Sequence, residues 1–203
     1  MEQSPGAMWD RIFSETEWSQ APDPFLCELA AGLEPGRALD VGSGPGRNGL
    51  WLAEVGWTVT LLDPSSVALE QARDRARVLD VTIRTLEADV SRWQPEAASY
   101  DLVVTANLHM VEPELAELYR KVRTSLADGG HLYVVGHHLS SLGRHGPPDP
   151  ERLFTPDRLR RVLGAGFEIE MLEERERSQV DDRRDEPDST PDRVVVLWAR
   201  ATA

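Results

Sequence analysis

The sequence predicts an α/β chain: a single domain on one doubly wound sheet of about seven strands, mostly parallel with an antiparallel last strand. Three observations carry this expectation. From Arg37 onward short apolar runs alternate with segments of helical period, a pattern that needs crossover connections and covers both faces of a parallel sheet. A glycine-rich turn joins the first of these runs to the first helix, where such sheets commonly meet a ligand. The length, 203 residues, fits one domain, or one with elaborations, and can bury a substantial core.

Before residue 37 the pattern is helical. Asp23 caps a helix with Pro24 in its first turn, Phe25, Leu26, Leu29 and Leu33 share one face, and Gly32 ends it. Residues 8–18, in which Trp9, Ile12, Phe13 and Trp18 interleave with charges, read as a helix or a flap. Residues 1–36 are thus an N-terminal helical segment or lid, and 37–203 the main domain.

In the main domain, 38–41 is a short strand, 42–46 a tight turn, 48–55 a helix and 58–62 a second strand. Ser65 caps a helix bearing Val67, Ala68, Ala72, Ala76 and Leu79, followed by a third strand over 81–86. The fourth strand is 100–105. Pro113 opens a helix whose Leu115, Leu118, Val122 and Leu126 recur at helical spacing, with Gly129 and Gly130 expected to break it before a fifth strand at 132–135. Residues 136–154 are rich in glycine and proline and read as a loop. Thr155 and Pro156 begin a short helix through Leu163, and 167–172 and 193–198 are the final strands. The charged stretch 175–192, whose only aliphatic residue is Val180, is expected to be a long mobile hairpin loop.

Composition removes several functions. With 35 carboxylates against 22 basic residues and a formal charge of −13, a surface that tracks phosphates is unfavourable, so no nucleic-acid partner is expected. Lys121 is the sole lysine and lies in no G-x-x-x-x-G-K motif, which excludes phosphoryl transfer by a P-loop. Cys27 is the sole cysteine, so an internal disulfide and a cysteine-based zinc cage are excluded and a reducing, cytoplasmic setting is expected. No apolar run approaches the length of a membrane span, and no secretory leader is apparent; no membrane association is expected.

The informative segment is Ala38-Leu39-Asp40-Val41-Gly42-Ser43-Gly44-Pro45-Gly46-Arg47-Asn48. A glycine turn between strand and helix lets backbone approach a ligand and aims helix N–H groups at it. A dinucleotide fingerprint wants G-x-G-x-x-G, and here the third glycine comes one residue early. Asp40, two residues before the turn, would repel a pyrophosphate and attract a cation. Asp63 closes the second strand, where a carboxylate can accept both hydroxyls of a ribose, and Asp89 follows the third, where it can accept from an exocyclic amine. S-adenosylmethionine, cationic and without phosphate, suits this acid series better than NAD does.

With Leu61-Leu62-Asp63, Glu87-Ala88-Asp89-Val90 and Tyr100-Asp101-Leu102-Val103-Val104 added, the chain resembles class I S-adenosylmethionine-dependent methyltransferases over roughly residues 20–172 and the final strand. It is most like their small tellurite-resistance-like branch, on residues 46–53 and the 18–24 approach. The resemblance implies a Rossmann-like fold, S-adenosylmethionine as cofactor and a small-molecule methyl acceptor. It places Asp40, Gly42, Gly44 and Gly46 at the methionine moiety, with Ser43 in the same turn and Asn107 facing that moiety. Asp63, beside Pro64, falls at the ribose, and Asp89 with the Val90 backbone at the adenine. Pro45 and Ser43 are tolerable departures within the turn.

The remaining candidates follow strand ends. His109, after the fourth strand, is a substrate contact or proton acceptor, while His137, His138 and Trp18 are substrate or lid residues. His131 reads as solvated. No metal site is expected, because ligand spacing of the His-x-x-x-His kind is missing. Two alternatives stay open on the residues alone: an NAD-linked oxidoreductase, which shares Asp63 but conflicts with Asp40, and a non-catalytic module that binds the adenosyl ligand.

Overall fold

The computed structural model describes residues 4–16, 18–177 and 192–202. Two N-terminal helices, α1 (Pro5–Glu15) and α2 (Pro24–Ala30), precede a run of β1 (Arg37–Val41), α3 (Arg47–Glu54), β2 (Thr58–Asp63), α4 (Ser66–Val78) and β3 (Ile83–Glu87). There follow β4 (Tyr100–Ala106), α5 (Glu112–Ser125), β5 (Leu126–His137), α6 (Pro156–Leu163), β6 (Phe167–Arg177) and β7 (Asp192–Ala201). The seven strands form one sheet in the order β3-β2-β1-β4-β5-β7-β6. Six run in one direction, and β7 lies antiparallel between β5 and β6. The order reverses between β1 and β4, and open α/β sheets bind ligands at the carboxyl ends of strands beside such a reversal.

Both faces are covered, which is why β1, β2 and β4 read as nearly continuous apolar runs rather than alternating ones. On one face Leu26 of α2, Leu52 of α3 and Leu69 and Ala72 of α4 pack on Val59, Leu61, Leu102 and Tyr133. On the other, Leu115, Leu118 and Val122 of α5 and Leu159 and Val162 of α6 pack on Leu39, Val103, Leu132 and Val134. Three of the helix starts expected to be capped are so: Asp23 accepts from the N–H of Phe25, Ser65 from that of Ala68, and Thr155 from that of Arg158. No helix among the described residues is long and apolar enough to cross a membrane.

Several boundaries differ from expectation. The third strand begins at Ile83, because the N–H groups of Leu79, Asp80 and Val81 all turn back to carbonyls of α4, with Asp80 at a φ of 55°. Gly129 and Gly130 do not end α5. The helix stops at Ser125, Leu126 already pairs with Tyr100, and the register then jumps so that Leu102 faces His131. The two glycines therefore belong to a bulge inside β5. Residues 136–154 contain two short 3₁₀ turns, Leu139–Ser141 and Pro150–Arg152, and bury Leu153 and Phe154. The last two strands are longer than their apolar cores, since their charges pair across the ribbon: Arg200 with Glu168 and Glu170, and Arg193 with Glu174 and Glu176. His131 is not solvated; it stacks on Trp198 at 4.8 Å. The loop expected around Val180 falls outside the described residues.

α1 is a helix, and it docks on the loop after β2. Asp10 accepts from the Ser65 hydroxyl at 2.7 Å and from the Val67 N–H at 3.1 Å, bonds that hold its carboxyl below the usual carboxylate range. The Gln71 amide donates to the carbonyl of Phe13. A Cβ at Gly6 would stand 2.5 Å from the Pro64 carbonyl oxygen, so only glycine permits this approach.

Candidate functional site

The glycine turn is held from below and behind. The N–H groups of Gly42 and Ser43 donate to the Leu62 carbonyl, and the Gly44 N–H donates to Asp63 Oδ2 at 2.8 Å. Asp63 Oδ1 accepts from Ser65 at 2.9 Å, so this one carboxylate fixes the turn after β1 and the turn after β2 together. Each of its oxygens retains a second lone pair. Burial raises the Asp63 pKa against the pull of these two N–H groups. Ser43 is nearly buried, and its hydroxyl donates to the Gly44 carbonyl. Gly46, at a φ of 82°, opens α3.

Asp40 is 2 % exposed and accepts from the Gly49 N–H at 3.0 Å through Oδ2. Desolvation lifts its pKa to about 7, with Gly49 and Arg47 opposing. An anion this poorly compensated favours a cation placed nearby. One strand over, Asn107 sits at a φ of 55° with its N–H on the Val135 carbonyl, and its buried Oδ1 has no hydrogen-bond partner among the described residues. Leu108, the next residue, lies against Gly42. Asp89 caps its own turn through the Ser91 N–H, and the Val90 carbonyl is taken by Lys121.

Above the turn, Phe13 of α1 reaches to 3.1 Å from where a Gly44 Cβ would stand. It stacks with Trp9 at 5.6 Å and meets Trp18 at 5.3 Å. The predicted lid aromatics thus meet over the backbone that was expected to hold a ligand.

The histidines divide. His109 Nδ1 pairs with the Arg152 carbonyl at 2.9 Å, and its Nε2 accepts from the His137 N–H at 3.4 Å. Both nitrogens are engaged, and burial, reinforced by His137, drives its pKa down to about 3; the geometry is that of a neutral support, not of a free base. His138 caps the 3₁₀ turn through Ser140 and lies 3.6 Å from Glu174 of β6, so it is directed at the edge of the sheet. His137 points into a buried network: its Nδ1 is 3.0 Å from Asp192 Oδ1, while Arg177 donates to Asp192 Oδ2 at 2.7 Å and to Asp23 Oδ2 at 2.8 Å. Tyr133 donates to Asp23 Oδ1, and the Asp23 N–H donates to Asn48 of α3.

Sequence reasoning missed Asp23, Arg177 and Asp192 as members of the site, because each looks like a solvated charge or a cap until the strands are paired. It also missed the structural use of Lys121, whose ammonium spans the carbonyls of Val90 and Ser91 at 2.9 and 2.8 Å. A lone lysine at a core-facing helix position, one residue before Val122, was the available signal.

The chain matches the methyltransferase domain family over residues 38–130. It is 31% identical over 133 residues to a protein-L-isoaspartate O-methyltransferase of Methylorubrum populi, covering 61% of this chain and 60% of that one. Over 167 residues it is 31% identical to a malonyl-[acyl-carrier protein] O-methyltransferase of Geobacter sulfurreducens, covering 73% and 62%. The chain therefore spans about three fifths of the length of these curated relatives. Among solved structures, the protein described under the conversion of a disulfide bond into a thioacetal group during echinomycin biosynthesis superposes with a TM-score of 0.83 at 22% identity, covering 98% of this chain and 94% of that one. A SAM-dependent methyltransferase from Methanosarcina mazei gives 0.72 at 21% identity, covering 90% and 99%. Over residues 38–130 the chain is thus similar to methyltransferase domains, and its whole fold is that of S-adenosylmethionine-dependent methyltransferases. The residues present fit the cofactor of these relatives: the unpartnered Asn107 oxygen and the desolvated Asp40 offer acceptors to a cation, and the Asp63 carboxylate that holds the Gly44 N–H keeps a further lone pair on each oxygen.

Proposed function

We propose that the protein transfers a methyl group from S-adenosylmethionine to a small-molecule acceptor. The observation that carries this reading is the pairing of two buried acceptors short of donors, Asp40 and Asn107, on neighbouring strands beside a glycine turn. They suit an ammonium and a sulfonium; a pyrophosphate would meet repulsion. Gly42, Ser43, Gly44 and Gly46 form the wall at the methionine end, Asp63 beside Pro64 receives the ribose hydroxyls on its free lone pairs, and Asp89 with the Val90 backbone borders the base. The bound cofactor supplies an activated methyl group, and the chain's task is alignment and exclusion of water, worth about 7–11 kcal/mol in well-oriented systems.

Residues 1–36 act as a cap, with Phe13 and Trp18 closing over the turn. A capped cleft and a charge of −13 both favour small acceptors over polyanions. The thioacetal-forming structural relative supports a small acceptor. The two curated relatives, both O-methyltransferases named for a protein or carrier-protein acceptor, favour a second reading, an oxygen acceptor carried on a protein.

Calorimetry with S-adenosylhomocysteine tests the cofactor, with NADH as the control. Heat with the first and none with the second is expected; the reverse would return the oxidoreductase reading. Transfer of labelled methyl to a panel of small thiols and phenols, run beside an isoaspartyl peptide, separates the two acceptor classes. Label on the peptide alone would replace the small-molecule reading.

A further inference from the structure

The buried network at the carboxyl ends of β5 and β6 and the amino end of β7 is larger than packing requires. Arg177 is 5 % exposed and lies between Asp23 and Asp192, which are themselves buried. Burial opposes its charge, and the two carboxylates hold its pKa up. Burying an ion triad in this way costs several kcal/mol per ion before the pairing offsets it, and an apolar replacement is often no less stable. What the triad achieves geometrically is the placement of one imidazole.

Asp192 divides its carboxylate: Oδ2 faces Arg177 and Oδ1 faces His137 Nδ1. Burial would raise this acid, but the hydrogen bond and charge of His137 and the charge of Arg177 bring it down to about 2, so it stays anionic. A carboxylate can only accept, which obliges Nδ1 to carry the proton and leaves the lone pair on Nε2. Among the described residues nothing hydrogen-bonds Nε2, and 16% of the His137 side chain remains open. His109 steadies the arrangement, stacking on the His137 ring at 5.3 Å and accepting its backbone N–H. His145 flanks the other side at 6.3 Å. His137 ends β5, two residues beyond Val135, whose carbonyl holds the N–H of Asn107. The bare nitrogen therefore sits on the sheet edge that carries the cofactor-facing residues, one strand further along.

We propose that His137 is the proton acceptor for the methyl acceptor, with Asp192 and Arg177 as positioning residues that fix its tautomer. This rests on the methyl-transfer reading above. The acceptor's O–H or S–H bond breaks toward Nε2, giving an imidazolium that Asp192 stabilises. The pair left on the oxygen or sulfur forms the bond to the methyl carbon, and the pair of the carbon–sulfonium bond leaves with the cofactor sulfur. The imidazolium then returns its proton to water.

The positioning role makes an unusual demand of the Asp192→Asn variant. Arg177 can only donate, so the amide oxygen must face it and the amide NH₂ must face His137, which converts the ring to the Nε2–H tautomer and removes the base. Long-range ¹H–¹⁵N correlation spectra of the labelled full chain read this directly. Wild type is expected to show Nδ1–H with a bare Nε2 whose resonance moves on adding S-adenosylhomocysteine, and Asp192→Asn to show Nε2–H. Catechol and 2-mercaptoethanol serve as acceptor probes. With His137→Gln, catechol methylation should fall at least about 100-fold and lose the acidic limb of its pH–rate profile, while S-adenosylhomocysteine affinity stays within about twofold of wild type. An Nε2–H tautomer in wild type, an Nε2 resonance indifferent to the ligand, or catechol turnover kept within about threefold in His137→Gln would each overturn the assignment. If wild type methylates neither probe, the two spectroscopic readings decide alone. Failure of wild type to bind S-adenosylhomocysteine would instead remove the methyl-transfer reading itself.

Discussion

At the β1–β2 end of the sheet, Asp40 and Asp63 accept from backbone N–H groups 9, 19 and 2 residues away in the chain. At the β5–β7 end, Asp23, Tyr133, Arg177, Asp192 and His137 are joined by side-chain bonds spanning 110, 154, 15 and 55 residues. The first end is a local motif, in which a carboxylate shapes the loop proposed to meet the ligand with its own backbone. The second is an assembly of side chains from four elements, the cap of α2 and strands β5, β6 and β7, that exists only when the sheet is complete. Local construction gives a site that can be recognised in sequence and tolerates change elsewhere. Distributed construction ties the site's geometry to the integrity of the fold.

Removing a member of the distributed end should therefore cost the most stability. Arg177→Met leaves Asp23 and Asp192 buried without their shared cation, with an expected loss of about 3–5 kcal/mol in urea unfolding. Neutralising both acids in the same chain, as Asp23→Asn with Asp192→Asn, should recover most of it; no recovery would mean that shape rather than charge holds this end together.

The local end should respond to pH. Asp40 titrates near 3.8 when unfolded and near 7 when folded. Both states are protonated below the lower value, so no penalty applies there; between the two the unfolded chain ionises first, and the ligand-free protein loses up to about 4 kcal/mol by the time pH exceeds 7. Asp40→Asn should thus melt higher than wild type at pH 8 and alike at pH 4, while binding S-adenosylhomocysteine more weakly. A melting temperature unchanged at pH 8 would show that the carboxylate finds compensation within the protein.

Asp63→Asn presents an NH₂ to one of two N–H donors that need an acceptor, so the turn should loosen and S-adenosylhomocysteine affinity fall about 100-fold by calorimetry, near 2.7 kcal/mol. The smallest effect belongs to the lid: Asp10→Ala removes the bonds to Ser65 and Val67, at about 1 kcal/mol, and should speed ligand release a few-fold in stopped flow. A release rate equal to wild type would separate α1 from the cofactor's path.

The same contrast explains what could be read from the sequence. The order of elements, the caps at Asp23, Ser65 and Thr155, and the acid-glycine-acid series all follow from short-range spacing. What escaped depends on pairing between distant strands. Arg175, Glu176 and Arg177 look alike in a charged run, yet register places Arg177 opposite Asp192 and buries it, while Glu176 faces solvent beside Arg193. Gly129 and Gly130 look like a helix terminator, but the pairing of Leu126 with Tyr100 brings the strand in first. His109 was singled out because it follows a strand end; only the packed structure shows the Arg152 carbonyl and the His137 N–H engaging both its nitrogens.

The outer strand has a consequence for association. β6 closes the sheet at one margin, and an open margin of that length is a template on which another chain can extend the sheet. Here it carries five glutamates against two arginines in eleven residues, so two such margins brought together would meet with like net charge. Part of the chain's acidity thus works as insulation between copies, and it is an insulation that acid or concentrated salt would thin.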